Sequence, residues 1–280
     1  MTRLLTSFVV FLLFGLFLFI NNHWITVSKH ELYFDRLPNN FSGLKIVHLS
    51  DLHDANFGKG QSRLIKKIKN EKPDFIFFTG DLIDSNRYDL NKSIQVINEL
   101  VEMAPVYYVT GNHEIATNEV DKIIKSLKSR GVTVLQNESE VIQRGRQKIV
   151  IGGIEDPLMR ISEQKAKKKI VKSNIERTFK NVNHQSIFKL LLSHRPEYFN
   201  IYAQQDVDAV FSGHAHGGQI RIPFVGGLLS PGQGWFPTYT SGVYTSRSTN
   251  MIVSRGLGNS VIPIRVFNLP EIVVITLKSI

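Results

Sequence analysis

Three segments of the chain each run from a short apolar stretch into polar side chains: KIVHLSDLH at residues 45–53, FIFFTGDLID at residues 75–84 and VYYVTGNHE at residues 106–114. The apolar stretches are rich in Val, Ile and Phe, which is typical of strands buried on both faces of a sheet. Amphipathic helices are predicted between them, at residues 62–70 and 91–103. This β–α–β order predicts an α/β layered fold.

The rest of the chain continues in short apolar stretches. A third helix is predicted at residues 119–130, with Gly131 as its C-cap. After Gly217 the sequence changes to short strands and Gly/Pro turns, which predicts a second, more antiparallel sheet packed against the first. The further predicted strands are residues 132–135, 148–151, 188–192, 207–211, 220–222, 241–244, 251–254, 264–267 and 272–277.

Polar residues that can bind metals follow five of the predicted strands. Five of the nine histidines lie in these segments. Because ligands bind beyond the carboxyl ends of the strands in an open α/β sheet, residues far apart in sequence can converge there. The residues concerned are Asp51, His53, Asp81, Asp84, Asn112, His113, Glu114, His194, His214 and His216.

These residue types restrict the chemistry of the predicted site. Carboxylates, imidazoles and an amide oxygen suit Mn²⁺, Fe or Zn²⁺, whereas a Ca²⁺ or Mg²⁺ site uses oxygen ligands almost throughout. The chain has no cysteine, which excludes thiolate ligands, disulfides and a cysteine nucleophile. Two divalent cations held by Asp51, Asp81 and neutral ligands would keep about two positive charges and attract a phosphate oxyanion. A hydroxide shared by such a pair could attack phosphorus in line.

The ordered set D-x-H, G-D, G-N-H-E, S-H and G-H-x-H resembles the signature of the calcineurin-like metallophosphoesterases, from about residue 45 to residue 219. The strings SDLHD, GDLID, GHAHGGQI, SRGLGNS and PIRVFNLPEI are similar to the membrane-associated bacterial branch of YkuE- and YaeI-like phosphoesterases. Ala215 stands where Thr is common in the family, at a position that is not a ligand. The resemblance implies a four-layer α/β/β/α sandwich.

The resemblance also implies a dinuclear phosphoesterase that hydrolyses a phosphomonoester or phosphodiester, including one linked to a lipid or to the cell envelope. The nucleophile would be a hydroxide that bridges the metals, and His113 would be the acid near the leaving group. The alternative is a non-catalytic protein that binds anionic lipid or phosphate polymer on the same fold. The implied ligands are Asp51, His53 and His216 for one metal, Asn112, His194 and His214 for the other, and Asp81 as the bridge.

Two nearby acidic residues have more than one interpretation. Asp84 either supports the site from outside the ligand shell or forms a turn or helix start. Glu114 either orients His113 or is a solvated carboxylate at the start of a helix. No function is assigned to the four histidines outside the motifs, which are His23, His30, His48 and His184.

The N-terminal residues 4–20 are uncharged and apolar apart from Thr6 and Ser7. Seventeen helical residues rise about 26 Å, which is enough to span a bilayer with some thinning. Arg3 before this stretch gives a positive flank that favours an N-terminus on the cytoplasmic side, and Trp24 after it lies where an interfacial aromatic residue is expected. No small-x-small cleavage pattern follows, which favours an uncleaved signal anchor over a cleaved signal peptide.

The predicted organisation is therefore an anchor and linker at residues 1–30 and a metallophosphoesterase domain at residues 31–280. The protein would cross the cell membrane once, with its catalytic domain outside the cytosol. The apolar residues of the loop at 223–239 either guide a lipid-linked substrate or touch the bilayer, or else they cap the core.

Charge favours phosphate-rich partners, because 34 Lys and Arg against 24 Asp and Glu give a net charge of +10. No nucleic-acid-binding module is recognisable, so no nucleic-acid partner is expected. The lysine run KAKKKIVK at residues 165–172 is predicted to be an exposed helix face, and a solvated face is favoured over contact with an anionic surface. The sequence does not determine the oligomeric state.

Overall fold

The computed structural model describes residues 2–159, 164–182, 187–259 and 263–280. Helices and strands alternate through most of them. The helices are α1 (Thr2–His23), α2 (Ser62–Glu71), α3 (Leu90–Val101), α4 (Asn112–Ala116), α5 (Val120–Lys128), α6 (Gln164–Thr178) and α7 (Phe199–Tyr202). The strands are β1 (Thr26–Phe34), β2 (Lys45–Leu49), β3 (Phe75–Phe78), β4 (Val106–Tyr108), β5 (Thr133–Val134), β6 (Glu138–Arg144), β7 (Gln147–Gly153), β8 (Phe188–Leu192), β9 (Ala209–Ser212), β10 (Arg221–Ile222), β11 (Gly226–Gly227), β12 (Leu229–Ser230), β13 (Gly234–Trp235), β14 (Gly242–Ser246), β15 (Thr249–Val253) and β16 (Glu271–Ser279).

Two six-stranded sheets form the centre of the described part of the chain. The first has the order β1-β16-β2-β3-β4-β5, and the second has the order β14-β15-β9-β8-β7-β6. Strands β2 to β5 are parallel to one another, and so are β7, β8, β9 and β15. The ligand-bearing loops after β2, β3 and β4 therefore leave the first sheet at one edge, and those after β8 and β9 leave the second sheet at one edge.

The central strands are buried on both faces, and alternate residues point to opposite sides. Val47 and Ile76 pack with helices α2, α3 and α5 on the outer face of the first sheet. Ile46 and Phe77 face inwards and pack against residues of the second sheet such as Phe211. Helices α6 and α7 cover the outer face of the second sheet. This arrangement confirms the predicted four-layer α/β/β/α sandwich.

The origin of the second sheet differs from the prediction. It begins at β6, and only the pairs β6–β7 and β14–β15 are antiparallel in its described part. Strand β16 lies in the first sheet, between β1 and β2. Residues 264–267 do not form a strand, since Val266 makes a single isolated bridge with Ile220. Short apolar stretches predict that a strand forms, but its pairing partner depends on distant parts of the chain.

The N-terminal helix α1 leads directly into the first sheet. Strand β1 begins at Thr26 and pairs with β16, so the last residues of the segment predicted as linker already lie in the sheet. Among the described residues, one helix, Arg3–His23, is long and apolar enough to cross a membrane. Most of its apolar side chains are exposed.

Packing between the sheets can be tested at Phe211, which is fully buried and contacts the rings of Phe77 and His48 edge-on. Phe211→Ala should lower the free energy of unfolding by about 3–5 kcal/mol, because it removes buried apolar surface and leaves a cavity. Phe236→Ala, at an exposed position, should change it by less than about 0.5 kcal/mol. Urea denaturation of the full chain in detergent measures both values, and equal effects would contradict the assigned core.

Candidate metal centre

The structure brings all seven predicted ligands together at the facing edges of the two sheets. The loops after β2, β3 and β4 come from the first sheet, and those after β8 and β9 come from the second. All of these side chains are buried except Asn112, which is half-buried. The residues are Asp51 and His53 after β2, Asp81 after β3, Asn112 at the start of α4, His194 after β8, and His214 and His216 after β9.

The first cluster contains Asp51, His53, Asp81 and His216. The Nε2 atoms of His53 and His216 are 3.1 Å apart. His216 Nε2 lies 3.3 Å from Asp51 Oδ1, and His53 Nε2 lies 3.5 Å from Asp81 Oδ2. Two imidazole nitrogens and two carboxylates thus converge on one small volume.

The second cluster contains Asp81, His194 and His214, with Asn112 beside them. His194 Nε2 lies 3.3 Å from Asp81 Oδ2, 3.0 Å from Asn112 Oδ1 and 3.1 Å from His214 Nδ1. The same oxygen of Asp81 therefore faces a nitrogen of each cluster. A carboxylate in this position can be shared by two cations.

The ligand atoms fit a pair of divalent transition-metal ions. Imidazole nitrogens with carboxylate and amide oxygens suit Mn²⁺, Fe or Zn²⁺. Lone pairs of facing nitrogens about 3 Å apart repel one another unless a cation or a proton lies between them. The burial of two carboxylates also requires compensating positive charge. The described residues therefore form buried His/Asp clusters suited to binding metal.

The charges of the cluster alter the pKa values of its histidines. Burial lowers the pKa of His194, but Asp81 outweighs this effect and, with Asp51 and Asp156, raises it to about 10. Burial lowers the pKa of His216 to about 3 even though Asp51 opposes it. Burial also lowers the pKa of His214, and the nearby Arg195 adds to that effect. His214 and His216 are therefore neutral at pH 7, which is the form that binds metal.

The backbone turns sharply at the residues that carry the ligand atoms. Asp51, His53, Asp81, His214 and His216 have φ angles between +46° and +63°. Residues other than glycine adopt this left-handed region infrequently, and such strain persists where the surrounding structure enforces it. The local geometry is consistent with a functional site.

Two glycines of the motifs allow the loops to approach the carboxylates closely. A Cβ atom on Gly111 would overlap the carboxylate of Asp81. A Cβ atom on Gly213 would overlap the carboxylate of Asp51 and the hydroxyl of Ser50. Glycine is thus required before Asn112 and before His214 because there is no space for a side chain.

Glu114 connects two of the ligand loops. Its carboxylate is fully buried and accepts hydrogen bonds from the backbone N–H groups of Gly111, Asp81 and Leu82 at 2.7–2.9 Å. The side chain is therefore buried and not solvated. It holds the loop of Asn112 against the loop of Asp81.

His113 lies beside the first cluster, and its ring is oriented by the loop after β3. The N–H of Ser85 donates to His113 Nδ1 over 3.0 Å, so the neutral ring carries its proton on Nε2. Asp84 Oδ1 is 3.6 Å from the same nitrogen. Asp84 also accepts from the N–H of Asn86 and pairs with Arg87, so it has a turn role as well. It does not begin α3, whose N-cap is Asp89.

Three partners of the ligand histidines were not identified from the sequence. Thr79 accepts a hydrogen bond from His194 Nδ1 through its backbone oxygen over 2.7 Å, which directs Nε2 to the cluster. Arg195 is held by Asp156 and places Nη1 3.3 Å from His214 Nε2. Asn268 donates to the backbone oxygen of His216 over 2.7 Å. Of these three residues, only Arg195 is indicated by the local sequence, because it is a charged residue that directly follows the ligand His194 after an apolar strand.

The remaining sequence features lie around this centre. His48 is buried and its Nε2 contacts the hydroxyl of Thr79. His30 lies on β1, His23 ends α1, and His184 lies outside the described residues. In the loop at residues 223–239, Trp235 and Phe236 are exposed and therefore do not cap the core. The described part of the lysine run lies on α6, where Lys168 and Lys169 are exposed.

Comparison with known proteins places the chain in a family. Residues 44–218, more than half of the chain, match the family model described as calcineurin-like phosphoesterase. The chain belongs to this family. It is a metal-dependent phosphoric ester hydrolase, and the family is dinuclear. The resemblance seen in the sequence motifs is thereby confirmed.

Similar proteins cover nearly the full length of the chain. The uncharacterized metallophosphoesterase YkuE of Bacillus subtilis is 30% identical over 95% of this chain and 90% of its own length. The phosphodiesterase YaeI of Escherichia coli is 27% identical over 94% of this chain and 92% of its own length. The structure of the sulfate thiohydrolase SoxB of Thermus thermophilus gives a TM-score of 0.51 at 11% identity, over 79% of this chain and 53% of that chain. The last likeness concerns the fold alone.

The role of Glu114 can be tested by Glu114→Gln. The amide group would face backbone N–H donors and leave at least one of them without an acceptor, so the free energy of unfolding should fall by about 1–3 kcal/mol. The amount of bound metal per chain should fall as well, because the loops of Asp81 and Asn112 are no longer held together. Urea denaturation and elemental analysis measure the two effects.

The matched control is Glu119→Gln, at a partly exposed residue whose carboxylate pairs with Lys122. It should change the free energy of unfolding by less than about 1 kcal/mol and leave the metal content unchanged. Identical metal content in Glu114→Gln and the wild type would contradict the proposed role of Glu114 in holding the loops of Asp81 and Asn112 together.

Proposed function

We propose that the chain hydrolyses a phosphomonoester or phosphodiester at two divalent cations held between its two sheets. The observation that carries this proposal is the shared position of Asp81 Oδ2, 3.5 Å from His53 Nε2 and 3.3 Å from His194 Nε2. A carboxylate oxygen between two sets of nitrogen ligands supports a dinuclear site. The family assignment supports a phosphoric ester as the substrate.

The ligand assignment is part of the proposal. The distances within each cluster support two three-residue sets joined by one bridge, and Mn²⁺ is the ion to be tested first, ahead of Fe and Zn²⁺. The assignment is Asp51, His53 and His216 for the first ion, Asn112, His194 and His214 for the second, and Asp81 for both.

When bound, the two cations supply Lewis acidity toward the phosphoryl oxygens and an activated hydroxide as the nucleophile. The protein contributes the surrounding groups. Burial lowers the pKa of His113, so the ring is neutral near pH 7, and the Ser85 N–H keeps its proton on Nε2. His113 can then donate a hydrogen bond to the leaving oxygen. The guanidinium of Arg195, which pairs with Asp156 and Glu197, places Nη1 3.3 Å from His214 Nε2 and so helps to position that ring.

We propose that α1 is retained as a signal anchor and that the catalytic domain lies outside the cytosol. The positive flank at Arg3 supports this orientation. The segment at residues 1–30 then contains the anchor and the first residues of β1, and residues 31–280 form the rest of the metallophosphoesterase domain. Such a location makes a lipid-linked or envelope-linked phosphoester available as the substrate.

The experiment that tests the function is metal analysis of the purified full chain in detergent, followed on the same sample by hydrolysis assays. Chromogenic mono- and diesters with the same leaving group are compared after Mn²⁺ is added. We expect about two metal ions per chain and turnover that is lost with a chelator and restored by Mn²⁺. Two bound ions without turnover of either ester would instead indicate a binding protein.

Two substitutions separate metal binding from catalysis. Asp81→Asn should weaken both metal sites, since it removes the charge that they share. His113→Ala should slow turnover by about 10²- to 10⁴-fold while the metal content changes little, because His113 acts on the ester. Kinetics and elemental analysis of the same preparations check both, with His30→Ala on β1 as the control. Normal metal content and full activity in Asp81→Asn and His113→Ala would reject the assignment.

A further inference from the structure

A cavity of about 520 Å³ lies between the end of α1 and the metal centre. Leu18 and His23 of α1 line one side, and His53 of the first cluster lines another. Arg87, whose guanidinium pairs with Asp84, also lines the cavity, and Lys92 brings positive charge to it. This membrane-side cavity therefore connects the apolar helix with a residue of the metal centre.

The helix that forms one wall is held in place by hydrogen bonds. Asn22 Oδ1 accepts from the Asn259 side chain over 2.7 Å and from the Arg265 N–H over 3.2 Å. Asn21 Oδ1 accepts from the Asn268 N–H over 3.3 Å. Because these bonds join α1 to Asn259, Arg265 and Asn268 of the domain, this wall of the cavity has a defined position.

The domain also extends along the apolar part of α1. The ring of Phe17 contacts the ring of Phe267 edge-on, with 5.2 Å between centroids. Phe17 lies six residues before His23, which is about 9 Å along the helix. Ile264 and Phe267 are exposed beside it, and exposed Phe224 lines a surface depression with Phe267. With α1 in a bilayer, Phe267 would lie beside the membrane-spanning part of the helix through its contact with Phe17.

We propose that the membrane-side cavity binds an amphiphilic phosphoester taken from the membrane, with its phosphate toward the metal centre and its alkyl chain along α1. This inference rests on the proposed function. Lys92 complements the negative phosphate, and Leu18 provides apolar contact for the chain. Asp54, the acidic residue among the described residues of the wall, accepts hydrogen bonds from the Ser93 hydroxyl and the Asp84 N–H.

The test compares the binding of dodecyl phosphate and ethyl phosphate to the Mn²⁺-loaded full chain in dodecyl maltoside micelles, by calorimetry. The two probes share a phosphate and differ only in the alkyl chain. The wild type should bind dodecyl phosphate at least about tenfold more tightly, because each buried methylene group adds affinity. Leu18→Trp fills the apolar wall and should remove most of that preference.

The matched control is Leu16→Trp, which lies two residues earlier and about 200° around the helix, outside the cavity wall. It should keep the wild-type preference, and partition into the micelle is the same for all three chains. Hydrolysis of a soluble chromogenic ester on the same samples reports the proposed function separately. If the wild type hydrolyses the soluble ester but Leu18→Trp prefers dodecyl phosphate over ethyl phosphate as strongly as the wild type does, the inference is overturned and the proposed function stands. Absence of turnover of any ester by the metal-loaded wild type would overturn the proposed function and the inference with it.

Discussion

The carboxylate of Asp81 is the group on which the arrangement of this protein depends. Its Oδ2 atom faces His53, from the first sheet, and His194, from the second. Its Oδ1 atom accepts a hydrogen bond from the backbone N–H of His113. A buried charge of this kind is tolerated only where hydrogen bonds and positive charge surround it. The bonds of Glu114 to the Asp81 loop and the absence of a side chain at Gly111 both serve to keep the carboxylate there.

The negative charge of Asp81 also controls how strongly the site attracts protons and cations. It raises the pKa of His194 to about 10, and a group that attracts a proton so strongly also attracts a divalent cation. Protons and metal ions therefore compete for the same ligands. Burial makes each of these attractions stronger than in water, while the neutral rings of His214 and His216 keep their lone pairs available.

Asn268 couples the metal centre to the N-terminal helix. Its side chain donates to the backbone oxygen of His216, and its N–H donates to Asn21 of α1. The helix and the sheet are separated by only two residues, Trp24 and Ile25, before β1 begins. A short connection and specific hydrogen bonds give α1 a defined position relative to the site, which a flexible linker would not do.

The sequence by itself determined the class of fold and the residues available to bind metal, because apolar strands such as residues 75–78 and the ligands that follow them are adjacent in the chain. It did not reveal β6, whose edge position leaves much of the strand exposed, or the return of β16 to the first sheet. It also left Glu114 ambiguous, since an acidic residue at a helix start is equally compatible with solvent. Only the tertiary structure decided these points, because strand pairing, burial and the partners of a carboxylate depend on contacts between residues far apart in sequence.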